Sequence, residues 1–185
     1  MSKVVSITGT DPLSLTTVKD HLRVSGSDED ALLTIYLNAA LETVEEYLWR
    51  KLRLSTVSDS FPYWKSVFDL SFPINSITTI EYFEDLETTA TLGSGFYEVY
   101  DDAKIDNYLY RVGTTELPEH VTDKKFPIKV TYTTGYTDGN VPSAILNAML
   151  LLVGDMYENR EDSEYKSEIR KASRLALNPY RLKRF

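Results

Sequence analysis

This chain of 185 residues contains no cysteine. Disulfides and thiolate metal sites are therefore excluded, and the fold rests on packing alone. Long hydrophobic runs are also missing. The longest, Ala148 to Val153, is far short of the roughly 20 residues a membrane span needs. The N-terminus shows no apolar signal segment, so a soluble protein made in a cytoplasm, with no membrane partner, is expected. Glycine and proline are sparse, at 8 and 7 residues against 42% hydrophobic content, which describes a folded chain rather than a disordered one.

Catalytic signals are lacking as well. Of the two histidines, His21 falls in a short predicted helix and His120 in a Pro-flanked loop, and neither has a second His nearby in sequence. Gly93-Ser94-Gly95 has neither the third glycine of a dinucleotide fingerprint nor the Gly-Lys-Ser/Thr of a phosphate loop. Asp101-Asp102 and Asp138-Gly139-Asn140 do not follow the liganding spacing of a calcium loop. Asp28-Glu29-Asp30 has a sufficient local reason, because acids at a helix start are favoured by the helix dipole. No catalytic, cofactor-binding or metal residue is assigned, and no cofactor is expected.

Positive charge is scarce except at one end. Residues 166–185 hold seven of the 20 Lys and Arg (Lys166, Arg170, Lys171, Arg174, Arg181, Lys183, Arg184) against one acid, Glu168. The other 165 residues carry 13 basic and 27 acidic side chains, a net of −14. Such a body repels phosphate, since nucleic-acid affinity needs Lys and Arg. Two readings of this charge stand: solubility alone, or a conduit along which DNA slides without being held.

What is present reads as helix, then strand, then helix. Leu15, Val18 and Leu22 sit near helical spacing, and Ser25-Gly26-Ser27 breaks that helix. Ser27 is the expected N-cap of a long helix over about 28–50. Its stripe of Leu33, Tyr36, Leu37, Ala40, Leu41, Val44, Tyr47 and Leu48 faces a core, with Glu42, Glu45 and Glu46 on the other side. From 55 to 137 the texture changes to Thr, Tyr, Phe, Val and Ile. Strands are predicted at Ser66–Leu70, Ile77–Phe83, Phe96–Tyr100, Asn107–Val112 and Ile128–Thr134. Val4 to Ile7 reads as a short strand or an ordered arm. Pro142 suits the start of an apolar helix running through Val153, and a last helix is predicted over about 163–177.

These features predict an α+β fold: a helical bundle body of two N-terminal and two C-terminal helices with a central antiparallel β insertion and an extended C-terminal tail. The expected boundaries are helical segments 14–54 and 141–178, a β insertion over about 55–137, and a C-terminal arm at 178–185, all in one domain spanning 1–185. The arm, Asn178-Pro179-Tyr180-Arg181-Leu182-Lys183-Arg184-Phe185, is too short for a core and rich in positive charge. It is either frayed in solvent or docked on another surface.

One ordered series of motifs carries a resemblance. Leu15-Thr16-Thr17-Val18-Lys19-Asp20-His21-Leu22-Arg23-Val24 precedes Ser27-Asp28-Glu29-Asp30-Ala31-Leu32-Leu33. Phe72-Pro73-Ile74-Asn75-Ser76-Ile77 follows, then Val130-Thr131-Tyr132-Thr133-Thr134-Gly135-Tyr136, Val141-Pro142, the apolar helix, Tyr157-Glu158-Asn159-Arg160-Glu161, and Pro179-Tyr180-Arg181. In order and spacing this resembles the head–tail connector (adaptor) proteins of tailed bacteriophages, with nothing carried over for residues 84–125.

The resemblance implies a structural virion protein of the neck, assembled in the host cytoplasm, that forms a ring, usually of twelve subunits. Its implied partners are the portal protein and a head–tail stopper or tail completion protein. Double-stranded DNA is expected to pass through without tight binding. Tyr180, Arg181, Leu182, Lys183, Arg184 and Phe185 become the expected portal-docking residues, and the end at Tyr157–Arg160 a contributor to subunit contacts. Two other readings remain: a soluble enzyme with an unrecognised site, and a nucleic-acid-binding protein using the basic tail.

Overall fold

The apolar stripe predicted for the long helix folds into a single buried face. In the computed structural model, which describes residues 2–102, 105–160, 169 and 171–182, this helix is α2 (Asp30–Leu48), and Leu33, Leu37, Ala40, Leu41, Val44 and Leu48 are all buried. The shorter helix before it is α1 (Leu15–Leu22). Ser14 caps α1, its hydroxyl accepting from the Thr17 N–H at 3.1 Å, and so satisfies one of the orphan donors of the first turn. Arg23 ends the helix in the left-handed region at φ 58°.

Ser27 does not cap α2. The Asp30 N–H donates to the Ser27 carbonyl at 3.2 Å, which closes a turn ahead of the helix and leaves Glu29 at the N-cap position without a side-chain cap bond. Asp30 pairs instead with Lys19 of α1, Nζ to Oδ1 at 2.6 Å.

The apolar helix after Pro142 is α3 (Ser143–Glu158), and Pro142 sits at its N-cap rather than inside it. Ile145, Ala148, Met149, Leu152, Val153 and Met156 are buried, whereas Leu151 is exposed. The helix therefore buries one broad face rather than its whole circumference. The last helix, α4 (Lys171–Leu177), supplies the fully buried Leu177; its expected beginning at 163 lies outside the described residues. α1, α2, α3 and α4 share one core, which also takes in Leu13, Leu52 and Ile169.

Glu45 does not share the solvent face with Glu42 and Glu46. It is 9% exposed. Its Oε1 accepts from the Leu52 N–H at 2.8 Å and its Oε2 pairs with Lys51 at 2.7 Å. Trp49 turns the chain at φ 55°, so the segment after α2 folds back over the last helical turn, where a carboxylate satisfies its backbone.

The strands form a second compact unit, made of the residues up to Gly9 together with Arg53–Gly135, while Thr10–Leu52 and Tyr136–Leu182 form the helical one. The strands are β1 (Ser2–Ile7), β2 (Ser55–Phe61), β3 (Val67–Phe68), β4 (Ser76–Phe83), β5 (Thr89–Thr91), β6 (Tyr97–Asp102), β7 (Ile105–Arg111) and β8 (Ile128–Thr134). All pairings are antiparallel, in a five-stranded sheet ordered β1-β2-β8-β4-β5 and a three-stranded sheet ordered β3-β7-β6. The α+β class with antiparallel sheets is therefore the observed one.

The strand read at Val4–Ile7 is present as part of β1, and the other strands depart from expectation in part. Ser66–Leu70 shrinks to the two-residue β3. β2 and β5 were not predicted. β1 comes from the N-terminus, outside the expected insertion, and pairs with β2. β2 escapes periodicity because Ser55, Ser58 and Asp59 are buried along with Val57 and Phe61, so no apolar alternation marks it. Phe68, Ile74, Leu109, Ile128, Val130 and Tyr132 are fully buried at the centre of this unit, with Phe68 between Phe61 at 4.6 Å and Tyr97 at 5.0 Å. Gly135 follows β8 at φ +95°, and a Cβ there would collide with the Arg53 carbonyl, so glycine is required on both conformational and steric grounds.

Candidate interface surfaces

The start of the C-terminal arm is bound to its own helical unit. Asn178–Tyr180 form a 3-10 turn. The Tyr47 hydroxyl donates to Asn178 Oδ1 at 2.7 Å, Arg50 Nε to the Tyr180 carbonyl at 2.6 Å, and the Leu182 N–H to the Leu48 carbonyl at 2.9 Å. The Arg181 guanidinium lies 5.1 Å over the Tyr47 ring, a favourable cation–π arrangement. Through these contacts the end of α2, whose last carbonyls lack helical partners, receives the chain.

Of the predicted docking residues, Tyr180 and Leu182 are thus half-buried within the chain and Arg181 is exposed. Lys183, Arg184 and Phe185 lie outside the described residues. No local sequence signal pointed to Tyr47 and Arg50 as the holders of the tail, because they stand some 130 residues from it.

The Tyr157–Arg160 end of α3 is bound within the chain too. Glu29 accepts from the Tyr157 hydroxyl at 2.7 Å and from Arg160 Nη1 at 3.0 Å. The tyrosine hydrogen bond, then the guanidinium, holds the Glu29 carboxyl below the usual carboxylate range. The same bond pushes the Tyr157 phenol up. The acid-rich start of α2 is therefore used structurally: Asp30 ties α1 to α2, and Glu29 ties α2 to α3.

The outer face of α2 presents Ile35, Asn38, Glu42, Glu46 and Trp49 to solvent, with Ile35 62% and Trp49 48% exposed.

Among the described residues the two histidines stand apart. His120 packs edge-on against Trp64 at 6.2 Å, and His21 is exposed on α1. Among the described residues no group of His, Asp and Glu could hold a metal ion, and no helix is long and apolar enough to cross a membrane.

Among the described residues four helices on one core, joined in sequence to antiparallel sheets, define an α+β protein in which the chain at Asn178–Leu182 is held by the end of α2. Residues 12–90, from the loop before α1 into β5, match the family of phage gp6-like head-tail connector proteins, and the resemblance read from the sequence holds there. No curated protein matches the sequence. Among solved structures, the fold is similar to a chain in the virion of a native gene transfer agent (GTA) particle, with a TM-score of 0.80 at 20% identity over 100% of this chain and 97% of that one. A chain in the neck of an empty GTA particle computed with C6 symmetry gives 0.79 at 19% identity over the same shares. One in the neck of a native GTA particle computed with C12 symmetry gives 0.75 at 20% identity, again over 100% and 97%.

Proposed function

We propose that this protein is a structural subunit of a virion neck: it forms an oligomeric ring that joins the portal to the tail or its stopper and lets DNA pass. The observation that carries this reading is full-length similarity to chains of particle necks computed with C6 and C12 symmetry, together with the connector-family match over 12–90. The role is mechanical rather than enzymatic. Helices stand side by side around the ring, and the twelvefold count follows from the resemblance.

The acidic body supports DNA passage. A net of −14 over the first 165 residues opposes phosphate approach, so the duplex slides rather than sticks. The tail supports portal docking. Its root is anchored by Tyr47, Leu48 and Arg50, which holds the exposed Arg181 at a surface a partner can meet. Arg and aromatic side chains are favoured anchors at protein interfaces. Electron microscopy of the purified protein, alone and mixed with portal rings, tests the reading. Ring-shaped particles coaxial with the portal are expected; a protein that stays monomeric with portal present overturns it.

A further inference from the structure

β1 is hydrogen-bonded along β2, yet all six of its side chains are exposed. Val4, Val5 and Ile7 are 39%, 54% and 49% exposed. A strand normally buries at least one face, so β1 is held by its backbone while its aliphatic side chains stand in water. Its pairing is irregular between Val4 and Ser6, and Lys3 lies beside that irregularity. A bulge and a lysine both discourage another strand from adding to the edge. A contact at β1 is therefore made by its side-chain faces rather than by extending the sheet.

A second uncovered face lies on the three-stranded sheet of the same unit. Val67, Tyr110 and Glu98 stand side by side across β3, β7 and β6, and Tyr108 faces Tyr100 one step along. Tyr100 stacks on Tyr108 at 5.1 Å and meets Tyr110 edge-on at 6.1 Å, and the Tyr110 hydroxyl donates to Glu98 at 3.0 Å. Val67 is 50% and Tyr100 45% exposed. The opposite face of this sheet, with Phe68, Tyr97 and Leu109, is the buried one. The outward face is thus a preformed aromatic platform of the kind enriched at protein interfaces.

The charges of the two surfaces are complementary. β1 carries Lys3 and no acid, whereas the aromatic face carries the exposed Glu98. Two different, complementary surfaces on one chain make a head-to-tail contact, which closes into a ring when the rotation allows. We propose that β1 of one copy packs its Val4, Val5 and Ile7 side chains on the Tyr100–Tyr108–Tyr110 face of the next copy. This contact rests on the ring reading and specifies which surfaces build the ring.

The absence of native cysteine makes a direct test possible. Val5→Cys and Tyr100→Cys chains are purified separately, mixed, assembled alone or on portal rings, and treated with a short thiol-reactive bifunctional reagent. The expected result is a crosslinked dimer in the mixture that neither variant forms by itself. Val5→Asp, at an exposed site, should keep the wild-type melting temperature and lose ring assembly. Rings that form without the mixed crosslink overturn this contact and leave the ring reading intact. So does a crosslink formed by Val5→Cys chains alone, or by either variant only to the portal chain. A failure of wild-type protein to assemble under either condition removes the ring reading and this contact with it.

Discussion

Tyr132 donates its phenolic hydrogen to Asp59 Oδ2 at 3.0 Å with both residues buried, one at 0% and the other at 2% exposure. The pair organises the segment leading to β4. Asp59 also accepts from the Ser71 N–H at 2.7 Å and from the Ser71 hydroxyl at 2.8 Å, and the Tyr132 oxygen accepts from the Phe72 N–H at 3.1 Å. A polar cluster of this kind tolerates no missing member, because each buried group left unpaired keeps its full desolvation cost.

Tyr132→Phe removes the hydroxyl and leaves the Phe72 N–H and one bond of Asp59 without their partner. A loss of about 1–3 kcal/mol is expected in urea denaturation. Burial, and next the negative Asp59, push the Tyr132 phenol far up, while burial takes Tyr97 to about 12. Both raised values leave stability complete below the ordinary phenol value of roughly 10 and remove it as pH rises above that. Wild type should therefore unfold as its buried tyrosines ionise, with the absorbance change at 295 nm and the loss of circular dichroism coinciding. In Tyr132→Phe the alkaline loss should be shallower. Identical alkaline slopes in the two proteins would contradict the assignment.

Leu41 is 3% exposed in the middle of α2. Truncation to Ala leaves a cavity in the helical core and should cost on the order of 2–5 kcal/mol. A thermal melt of Leu41→Ala superimposable on wild type would mean that the stripe does not face the core.

Glu45 should behave as a backbone cap rather than a surface charge. Glu45→Ala orphans the buried Leu52 N–H and should destabilise by about 1–3 kcal/mol. Glu45→Gln keeps an amide oxygen as acceptor and should recover part of that loss. Equal denaturation midpoints for the two variants would assign the whole effect to charge.

The Glu29 contacts predict a dependence on acid. The carboxyl is held low in the folded protein, so its contribution is present above the ordinary carboxylate value and disappears as pH falls through the lowered one. Melting temperatures of wild type and Glu29→Gln should differ at neutral pH and converge in acid. A difference that persists unchanged below the carboxylate range would exclude the ion pair as its source.

The tethered tail separates two truncations. Removing residues 183–185 spares the contacts of Asn178, Tyr180 and Leu182, so the melting temperature should stay above that of the longer truncation while portal binding is weakened. Removing 178–185 deletes the partners of Tyr47, Arg50 and Leu48, and should lower the melting temperature as well. Mobility shift with short duplex DNA should be weak at physiological salt in all three proteins. Tight binding by wild type, lost with the tail, would favour the nucleic-acid reading.

The sequence by itself determined those elements whose side chains alternate with one environment. α2 was legible because Leu33, Leu37, Leu41, Val44 and Leu48 recur at helical steps. β4 and β8 were legible because β-branched and aromatic residues cluster between turn signals. The ordered motifs along the chain also carried the connector resemblance. Tertiary structure decided the rest. β2 is polar in composition and becomes a buried strand only because Tyr132 and Ser71 come to Asp59 from 73 and 12 residues away. Glu45 reads as a solvent-facing acid until the chain after Trp49 turns back and places the Leu52 N–H against it. The tail reads as a free arm until Tyr47 and Arg50 hold its root. In each case the deciding partner lies outside the repeat of the element it meets, so helical or strand periodicity carries no trace of it, and burial of the polar group is tolerated only once the fold has brought that partner within hydrogen-bonding distance.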